Sequence, residues 1–230
     1  MEKKIKKDQD LKCPDLYLGE FFEEGYKGCR IMVIGHQAPA TKGEEDKFKN
    51  NRAQFEKDYK NNNIELVKID ILDEGYKKWE KEEIKRINIW KKFTNIFYYP
   101  SKPALDSIEA KDLLQHIAFA NYLTKPCFNI NRMGIDTSEF YTNDLEAFKH
   151  YLNIAFKNND KPNIVLAWGS EPYKYIKHCA IKSIEDKYCI LKNDNGAIVH
   201  VLSIKHPMIA NQNDTHAKIE NLIVNVLKKL

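Results

Sequence analysis

The stretch that decides the fold reads C-R-I-M-V-I-G-H-Q-A-P-A and spans residues 29–40. Its apolar run, Ile31–Ile34, is unbroken and rich in β-branched residues, which is typical of a short strand buried on both faces. Gly35 permits a sharp turn after that run, and Pro39 is expected to end the strand because its ring fixes φ and removes the amide donor. The stretch therefore predicts a central strand of an α/β sheet.

Two polar residues, His36 and Gln37, follow this apolar run immediately. In an open α/β sheet, ligands bind in the crevice beyond the carboxyl ends of the strands, so both residues fall where a site is expected. Two interpretations stay open from this stretch alone. Either His36 and Gln37 belong to a site, or His36 is a structural histidine at the end of a buried strand that leads into an ordinary turn.

The composition favours a soluble globular protein with one large core. The chain has 230 residues, of which 43% are hydrophobic and 30% charged, and we expect a single domain over residues 1–230. Five scattered cysteines without a Cys-x-x-Cys pair argue against a metal centre, and no cofactor is expected. No apolar run has the length of a membrane span and none follows the amino terminus, so we expect a cytoplasmic protein without a membrane partner.

Three further apolar runs predict strands of the same design as the first. They are Ile117–Tyr122, Ile164–Trp168 and Val201–Ile204. Because amphipathic stretches separate these runs, the pattern predicts an α/β fold of three layers, α/β/α, around a central, mostly parallel sheet of four to five strands. The Lys- and Glu-rich block 42–97 is interpreted as a helical elaboration on that sheet.

The amphipathic stretches predict the helices. Residues 141–157 form one of them, and another begins at Ser170 and ends near residue 177. A final helix is expected to start at Asp214 or Thr215, either of which can serve as its N-cap. Pro14–Tyr26 is also apolar enough to pack as a short helix.

Polar, turn-forming residues follow three of the predicted strands, at His36–Gln37, Gly169–Ser170 and His206–Pro207. Because parallel strands end at one edge of a sheet, these residues are expected to gather there. Asn121 interrupts the apolar run of another strand, and a buried amide must find hydrogen-bond partners or lose free energy. Asn121 is therefore either a satisfied structural residue or an amide offered to a ligand.

Taken in chain order, four segments resemble the motifs of the uracil-DNA glycosylase superfamily. They are V-I-G-H-Q-A-P-A (33–40), F-A-N-Y-L-T (119–124), I-V-L-A-W-G-S (164–170) and V-L-S-I-K-H-P-M-I (201–209). The tail T-H-A-K-I-E-N-L (215–222) is similar to the closing helix of that family. The resemblance covers the chain outside residues 42–97, and it implies the family's fold and its activity, the removal of a damaged base from DNA.

The resemblance also implies roles for individual residues. A glycosylase turns its target base out of the DNA stack into a pocket, where Asn121 would hydrogen-bond the Watson–Crick edge of that base. His206 would donate a hydrogen bond to the O2 of the departing base, where negative charge develops. The other residues expected to contact the substrate are Gly35, Phe119 and Ser170.

DNA is the partner that the resemblance implies. Met208 and Ile209 would form an apolar wedge that fills the gap in the stack, with Pro207 beside them, and Lys205 would contact phosphate. The net charge of +4 is small, so we expect weak and salt-sensitive binding.

The first motif departs from the family's pattern. The best-known members have Asp, or in some branches Asn, as the third residue of the motif, where it positions the attacking water, whereas this chain has Gln37, with Pro39 one place later. Gln37 could orient water but could not take its proton; His36 could act as the base. The acids Glu44, Glu45 and Asp46 are within reach or form a solvated charge run. The aromatic residue that stacks on the base is open among Phe48, Phe97 and Tyr98.

Two hypotheses from different classes follow from these residues. The first is a DNA glycosylase that removes uracil or a modified pyrimidine; the second is a non-catalytic protein on the same fold that binds a nucleobase or nucleic acid. Gln37 favours the second, because the motif carboxylate is missing. Asn121 and His206 favour the first, because a leaving-group donor has little use without bond cleavage. An unrelated α/β hydrolase lacks support, since there is no Gly-x-Ser-x-Gly.

Overall fold

The computed structural model describes residues 16–39, 89–98, 112–127, 138–207 and 210–228. Its elements, in chain order, are β1 (Tyr17–Leu18), β2 (Arg30–Pro39), α1 (Ile89–Tyr98), β3 (Ile117–Cys127), α2 (Ser138–Ala155), β4 (Asn163–Trp168), α3 (Ser170–Ile176) with a 3₁₀ turn at Lys177–Cys179, β5 (Lys182–Glu185), β6 (Tyr188–Lys192), β7 (Ile198–Ile204) and α4 (Gln212–Leu227). All four predicted strands are present, and the protein belongs to the mixed α/β class.

Seven strands form one sheet in the order β1-β3-β2-β4-β7-β6-β5. The four central strands, β3, β2, β4 and β7, are parallel, whereas β1, β6 and β5 pair antiparallel with their neighbours. The prediction of a mostly parallel sheet of four to five strands is therefore correct only for the centre. Short hairpin connections, such as the turn between β6 and β7 at Gly196 (φ 82°), reverse the chain and add antiparallel strands at the edge.

Buried side chains lie on both faces of the sheet, in two apolar clusters. The first cluster contains Met32 and Ile34 of β2 together with residues of α2 and α3, among them Phe148 and Ile176. The second contains Ile31 and Val33 of β2 together with residues of α1 and α4, among them Phe93, Ile96, Ile219 and Ile223. Alternate residues of a strand point to opposite faces, which explains why an unbroken apolar run is needed in β2.

The start of β2 is anchored by a buried arginine. Arg30, 2% exposed, donates from Nε to Glu23 (2.9 Å) and from Nη1 to Asn163 (3.2 Å), and it pairs with Asp160. The guanidinium holds the pKa of Asp160 below its ordinary range, mainly through that hydrogen bond. Arg30 and Asn163 are register partners, so this cluster aligns β2 and β4 at the edge opposite to the predicted site.

The predicted helix at Pro14–Tyr26 is wrong for the residues that the structure describes. Tyr17 pairs with Phe119 in strand β1, and turns follow. The amide of Gly19 donates to the carbonyl of Ile117 (3.0 Å) and that of Phe21 to Gln115 (2.9 Å). Pairing with β3 satisfies these backbone groups, and tertiary context thereby overrides local propensity.

One other helix prediction also differs from the structure. The N-cap of α4 is Asn211, whose side chain accepts hydrogen bonds from the amides of Asn213 and Asp214, so neither Asp214 nor Thr215 caps it. Residues 42–88 lie outside the described residues, and the end of the block 42–97 is helical, as predicted, in α1. Phe93 and Ile96 of α1 are completely buried, so this helix packs in the core. Within the described ranges, no helix combines the length and apolar character needed to cross a bilayer.

Candidate functional site

The carboxyl edge, defined here as the ends of β2, β3, β4 and β7, brings together residues from all four predicted motifs. Gly35 and Asn121 are register partners in β2 and β3, and Trp168 and Ile204 are partners in β4 and β7. The pairing of Ile34 with Ala167 puts Gly35 level with Trp168. One row across four parallel strands therefore reads Asn121, Gly35, Trp168, Ile204.

Gly35 is required by a close approach and not by a turn. β2 continues through Gly35 to Pro39, so the sharp turn expected at Gly35 is absent. A Cβ atom on Gly35 would lie 2.6 Å from Oδ1 of Asn121 and 2.9 Å from Cζ of Phe119. Only glycine lets the carboxamide and the phenyl ring pack over the strand at this point.

Asn121 is the buried polar side chain of this row. Only 5% of its surface is exposed, and its Oδ1 packs over Gly35, where an added Cβ atom would lie 2.6 Å away. A carboxamide offers one acceptor and two donors. Asn121 is therefore a buried polar group at the carboxyl edge, where a ligand would bind.

A set of aromatic rings joins Asn121's neighbourhood to the end of β7. Phe119, two residues before Asn121 and hence on the same face of β3, lies 5.3 Å from Trp168 between ring centroids. Trp168 in turn lies 4.9 Å from Phe93 of α1 and 5.7 Å from His206. These contacts are tilted or edge-to-face, the geometry that aromatic pairs prefer.

His206 lies two residues beyond β7, at the far side of the row from Asn121. The ends of β4 and β7 are tied together, because the amide of Gly169 donates to the carbonyl of Ile204 (2.8 Å) and the hydroxyl of Ser203 donates to that of Gly169 (3.3 Å). Burial lowers the pKa of His206 below its ordinary value. At neutral pH the imidazole is therefore uncharged and keeps one N–H to donate.

The remaining predicted residues are distributed around this edge. Ser170 is exposed and begins α3 directly after Gly169, and Lys205 is exposed beside His206, whereas Pro207 is buried. The backbones of His36 and Gln37 lie at the end of β2, but their side chains lie outside the described part of the structure. Met208 and Ile209, and the acids Glu44, Glu45 and Asp46, also lie outside the described residues.

Trp168 lies in the row at the carboxyl edge, and the sequence analysis did not single it out. The signal that could have found it is its place, the last residue of a predicted strand and the residue before Gly169. Of the proposed stacking residues, Phe97 is 1% exposed and packs on Phe93 and Tyr26 in the core. Phe48 and the side chain of Tyr98 lie outside the described part of the chain.

The described side chains at the carboxyl edge suit hydrogen-bond recognition. The edge presents a carboxamide that can donate and accept, aromatic rings and a neutral imidazole donor. This set can bind a planar group with both donors and acceptors and can stabilise negative charge on one of its oxygens. In the described ranges, no three His, Cys, Asp or Glu side chains lie close enough to hold a metal ion.

Comparisons with known proteins add one partial similarity. The sequence matches no family model. The tubulin-like protein TubZ of Clostridium botulinum C phage is 36% identical over 112 residues, which is 47% of this chain and 30% of TubZ. The chain thus spans less than a third of the relative it matches, and this similarity does not assign it to a family. Neither comparison supports the glycosylase resemblance, which stands on the residues themselves.

Proposed function

We propose that the protein is a DNA glycosylase that flips uracil or a modified pyrimidine into a pocket at the carboxyl edge and hydrolyses its N-glycosidic bond. The observation that carries this proposal is the carboxamide of Asn121, which is only 5% exposed and whose Oδ1 packs over Gly35 at the carboxyl edge. It lies in the same row as the end of the strand that leads to His206. The residues proposed for base recognition and for leaving-group stabilisation are therefore at the same edge of the sheet.

The arrangement of the helices is consistent with the family's three-layer fold. Residues of α2 and α3 belong to the first apolar cluster, and residues of α1 and α4 belong to the second. Since the two clusters contain alternate residues of β2, they lie on opposite faces of the sheet. We infer that the fold is an α/β/α sandwich of the uracil-DNA glycosylase type, with three antiparallel strands added at the edges.

Asn121 would select the base by paired hydrogen bonds to its Watson–Crick edge. A carboxamide offers one acceptor and two donors, and a base that leaves these groups unpaired would be rejected because they are buried. The backbones of β3 and β7 are three strand spacings apart, about 14 Å. Side chains from both strands can therefore reach one planar base between them.

His206 would stabilise the departing base. As the glycosidic bond breaks, electrons pass to the base, and negative charge develops on its O2. A neutral imidazole that is already buried can donate a hydrogen bond to that oxygen. The donor then needs no rearrangement of solvent around it during the reaction. The lowered pKa of His206 keeps the imidazole neutral under the conditions in which the reaction would run.

Water activation would be weaker than in family members that have a carboxylate in the first motif. Gln37 can orient a water molecule through its amide but cannot accept a proton, and His36 is the proposed base. DNA would be held by Lys205 at a phosphate, with Pro207, Met208 and Ile209 at the gap in the stack. We therefore propose slow excision.

A non-catalytic protein that binds a nucleobase or nucleic acid is the second candidate. The observation that favours it is Gln37, which replaces the motif carboxylate. Both candidates require Asn121, but only the glycosylase requires His206 for turnover. The two proposals are therefore separable by experiment.

The test is abasic-site formation on oligonucleotides that contain uracil or one of several modified pyrimidines. The wild type is expected to give product slowly, His206→Ala to be slower by about 10²–10³-fold, as for loss of an oxyanion donor, and Asn121→Ala to lose base discrimination. Binding of the same oligonucleotides is measured at low and moderate salt. Binding without product would leave the non-catalytic candidate, and the absence of both would contradict both proposals.

A further inference from the structure

Trp168 ends β4 at the middle of the carboxyl edge, and its indole contacts rings from three other segments. The centroid distances are 5.3 Å to Phe119, 4.9 Å to Phe93 and 5.7 Å to His206, with interplanar angles of 60°, 60° and 76°. Only 3% of Trp168 is exposed. Because the ring is held on several sides in a packed interior, its orientation is fixed by its neighbours.

Strand register puts Trp168 between the two side chains that the proposed reaction needs. The row at the carboxyl edge runs from Asn121 through Gly35 and Trp168 to Ile204, and His206 follows two residues later. The two middle strands, β2 and β4, contribute Gly35 and Trp168 to this row. Since Gly35 has no side chain, only Trp168 places a side chain there. The register therefore places Trp168 in the row between Asn121 and the end of the strand that leads to His206.

His206 lies where strand pairing no longer sets the backbone. The ladder between β4 and β7 ends with the pair of Trp168 and Ile204, and the imidazole beyond it meets the indole nearly edge-on. A hydrogen-bond donor stabilises a developing charge only when its direction is set in advance. The packing contact with Trp168 supplies such a constraint at the point where the β-ladder stops.

We propose that Trp168 is a positioning residue, whose indole orients the imidazole of His206 toward the base that Asn121 holds and keeps water from one side of it. The catalytic consequence rests on the proposed function. The orientation of His206 does not, because it can be measured on the protein without substrate. Burial is the cause of the lowered pKa of His206, and the indole contributes to that burial.

The direct test is an NMR pH titration of the histidine rings in the full chain, with His206→Gln used to assign the signal of His206. Trp168→Leu removes the aromatic ring and admits water, so the pKa of His206 is expected to rise toward its ordinary value of about 6.5. Trp168→Phe retains a ring at the same place and is expected to keep the pKa lowered while its smaller ring shifts the His206 resonance. If Trp168→Leu does not fold, the change in the His206 resonance of Trp168→Phe is the measurement that tests the proposal.

The matched control is Phe148→Leu, which removes a ring that is 1% exposed from the apolar cluster on the opposite face. It is expected to leave the titration of His206 unchanged. An unaltered His206 resonance and pKa in the folded Trp168 variants, or an equal change in Phe148→Leu, would overturn the proposal.

Kinetics on a uracil-containing oligonucleotide provide the second measurement. Trp168→Leu is expected to lower kcat by about 10–10²-fold with little change in KM, since it misplaces a group that acts in the transition state, and Trp168→Phe is expected to recover part of that loss. A rise in KM alone would contradict a positioning role. If the wild type shows no excision, the proposed function fails, whereas the titration still decides whether Trp168 positions His206.

Discussion

Gly35 and Asn121 are register partners in β2 and β3, and a Cβ atom on Gly35 would lie 2.6 Å from Oδ1 of Asn121. Such a contact is far below van der Waals distance, so Gly35→Ala must displace the carboxamide or the strand. We expect the variant to lose about 1–3 kcal/mol of unfolding free energy, as for an overpacked core, and to lose base selectivity. Urea denaturation and binding of uracil-containing DNA measure the two effects.

Gly169→Ala is the control for Gly35→Ala. Gly169 has φ 99°, but a Cβ atom there would have no heavy atom within 4 Å. Gly169→Ala should therefore lower the unfolding free energy by about 1–3 kcal/mol through backbone strain alone, without moving Asn121. Equal loss of base selectivity in both variants would show that the Gly35 effect does not act through contact with the carboxamide.

Because Asn121 is buried, we expect its replacement by an apolar residue to raise the stability of the protein and to abolish recognition of the base. Asn121→Leu replaces an amide that is 5% exposed by an apolar group of similar shape. Because the proposed partner of this amide is a ligand and not another part of the chain, the variant is expected to gain about 0.5–1 kcal/mol of unfolding free energy. Base binding should be lost. Thermal and urea denaturation, followed by a binding titration, measure both effects.

Asn163 offers a matched control at the opposite edge of the sheet. It is 1% exposed, its Nδ2 donates to the carbonyls of Asn158 (2.9 Å) and Ile198 (3.2 Å), and its Oδ1 accepts from Arg30. Asn163→Leu leaves these buried groups without a hydrogen-bond partner, and it should lower the free energy of unfolding by about 1–3 kcal/mol. A loss of the same size in Asn121→Leu would mean that Asn121 is a satisfied structural residue.

The central strands were predictable because four parallel strands buried on both faces need unbroken apolar runs, as at Ile31–Ile34. The same signal reaches the carboxyl edge, where Asn121 is conspicuous as a polar residue inside such a run. Periodicity does not report pairing partners, however. Tyr17 joins β3 as an antiparallel strand because its backbone groups find partners there, and nothing local in Pro14–Tyr26 indicates this.

The role of Gly35 shows a second limit of sequence reasoning. A glycine after an apolar run indicates either a turn or a close approach of another side chain to the backbone. Only the register of β2 with β3 shows that Gly35 makes room for Asn121 and Phe119. Trp168 shows the same limit of sequence reasoning. A tryptophan at the end of a strand is interpreted as a core residue unless its contacts with Phe119 and His206 are known. Contacts between distant segments carry the information that the site needs.

His206 predicts a loss of stability in acid. Its folded-state pKa lies below the ordinary value of about 6.5 because burial disfavours the charged ring. As pH falls below about 6.5, His206 takes up a proton in the unfolded chain before it does so in the folded protein. The free energy of unfolding therefore decreases until the pH passes the folded-state pKa of His206. Above the unfolded-state pKa, this loss of stability is absent.

The measurement is the urea midpoint of the wild type and of His206→Gln at about pH 7.5 and about pH 5. His206→Gln cannot titrate, and it should lose less stability over this interval than the wild type does. Parallel losses in the two proteins would contradict the assignment of a lowered pKa to His206.

The last prediction concerns Gln37, which in the proposed function takes the place of the carboxylate of the first motif. Gln37 continues β2 two residues beyond Gly35 and pairs with Leu123, so its backbone belongs to the same edge as Asn121. Gln37→Asp introduces a group that can accept a proton from water, and we expect uracil excision to rise by as much as about 10²–10⁴-fold, the usual contribution of a general base. Gln37→Asn shortens the side chain equally but adds no carboxylate, and it should leave the rate near that of the wild type. Abasic-site formation on a uracil-containing oligonucleotide measures all three proteins. Equal rates for the Asp and Asn variants, with DNA binding intact, would show that water activation does not limit the reaction at this position.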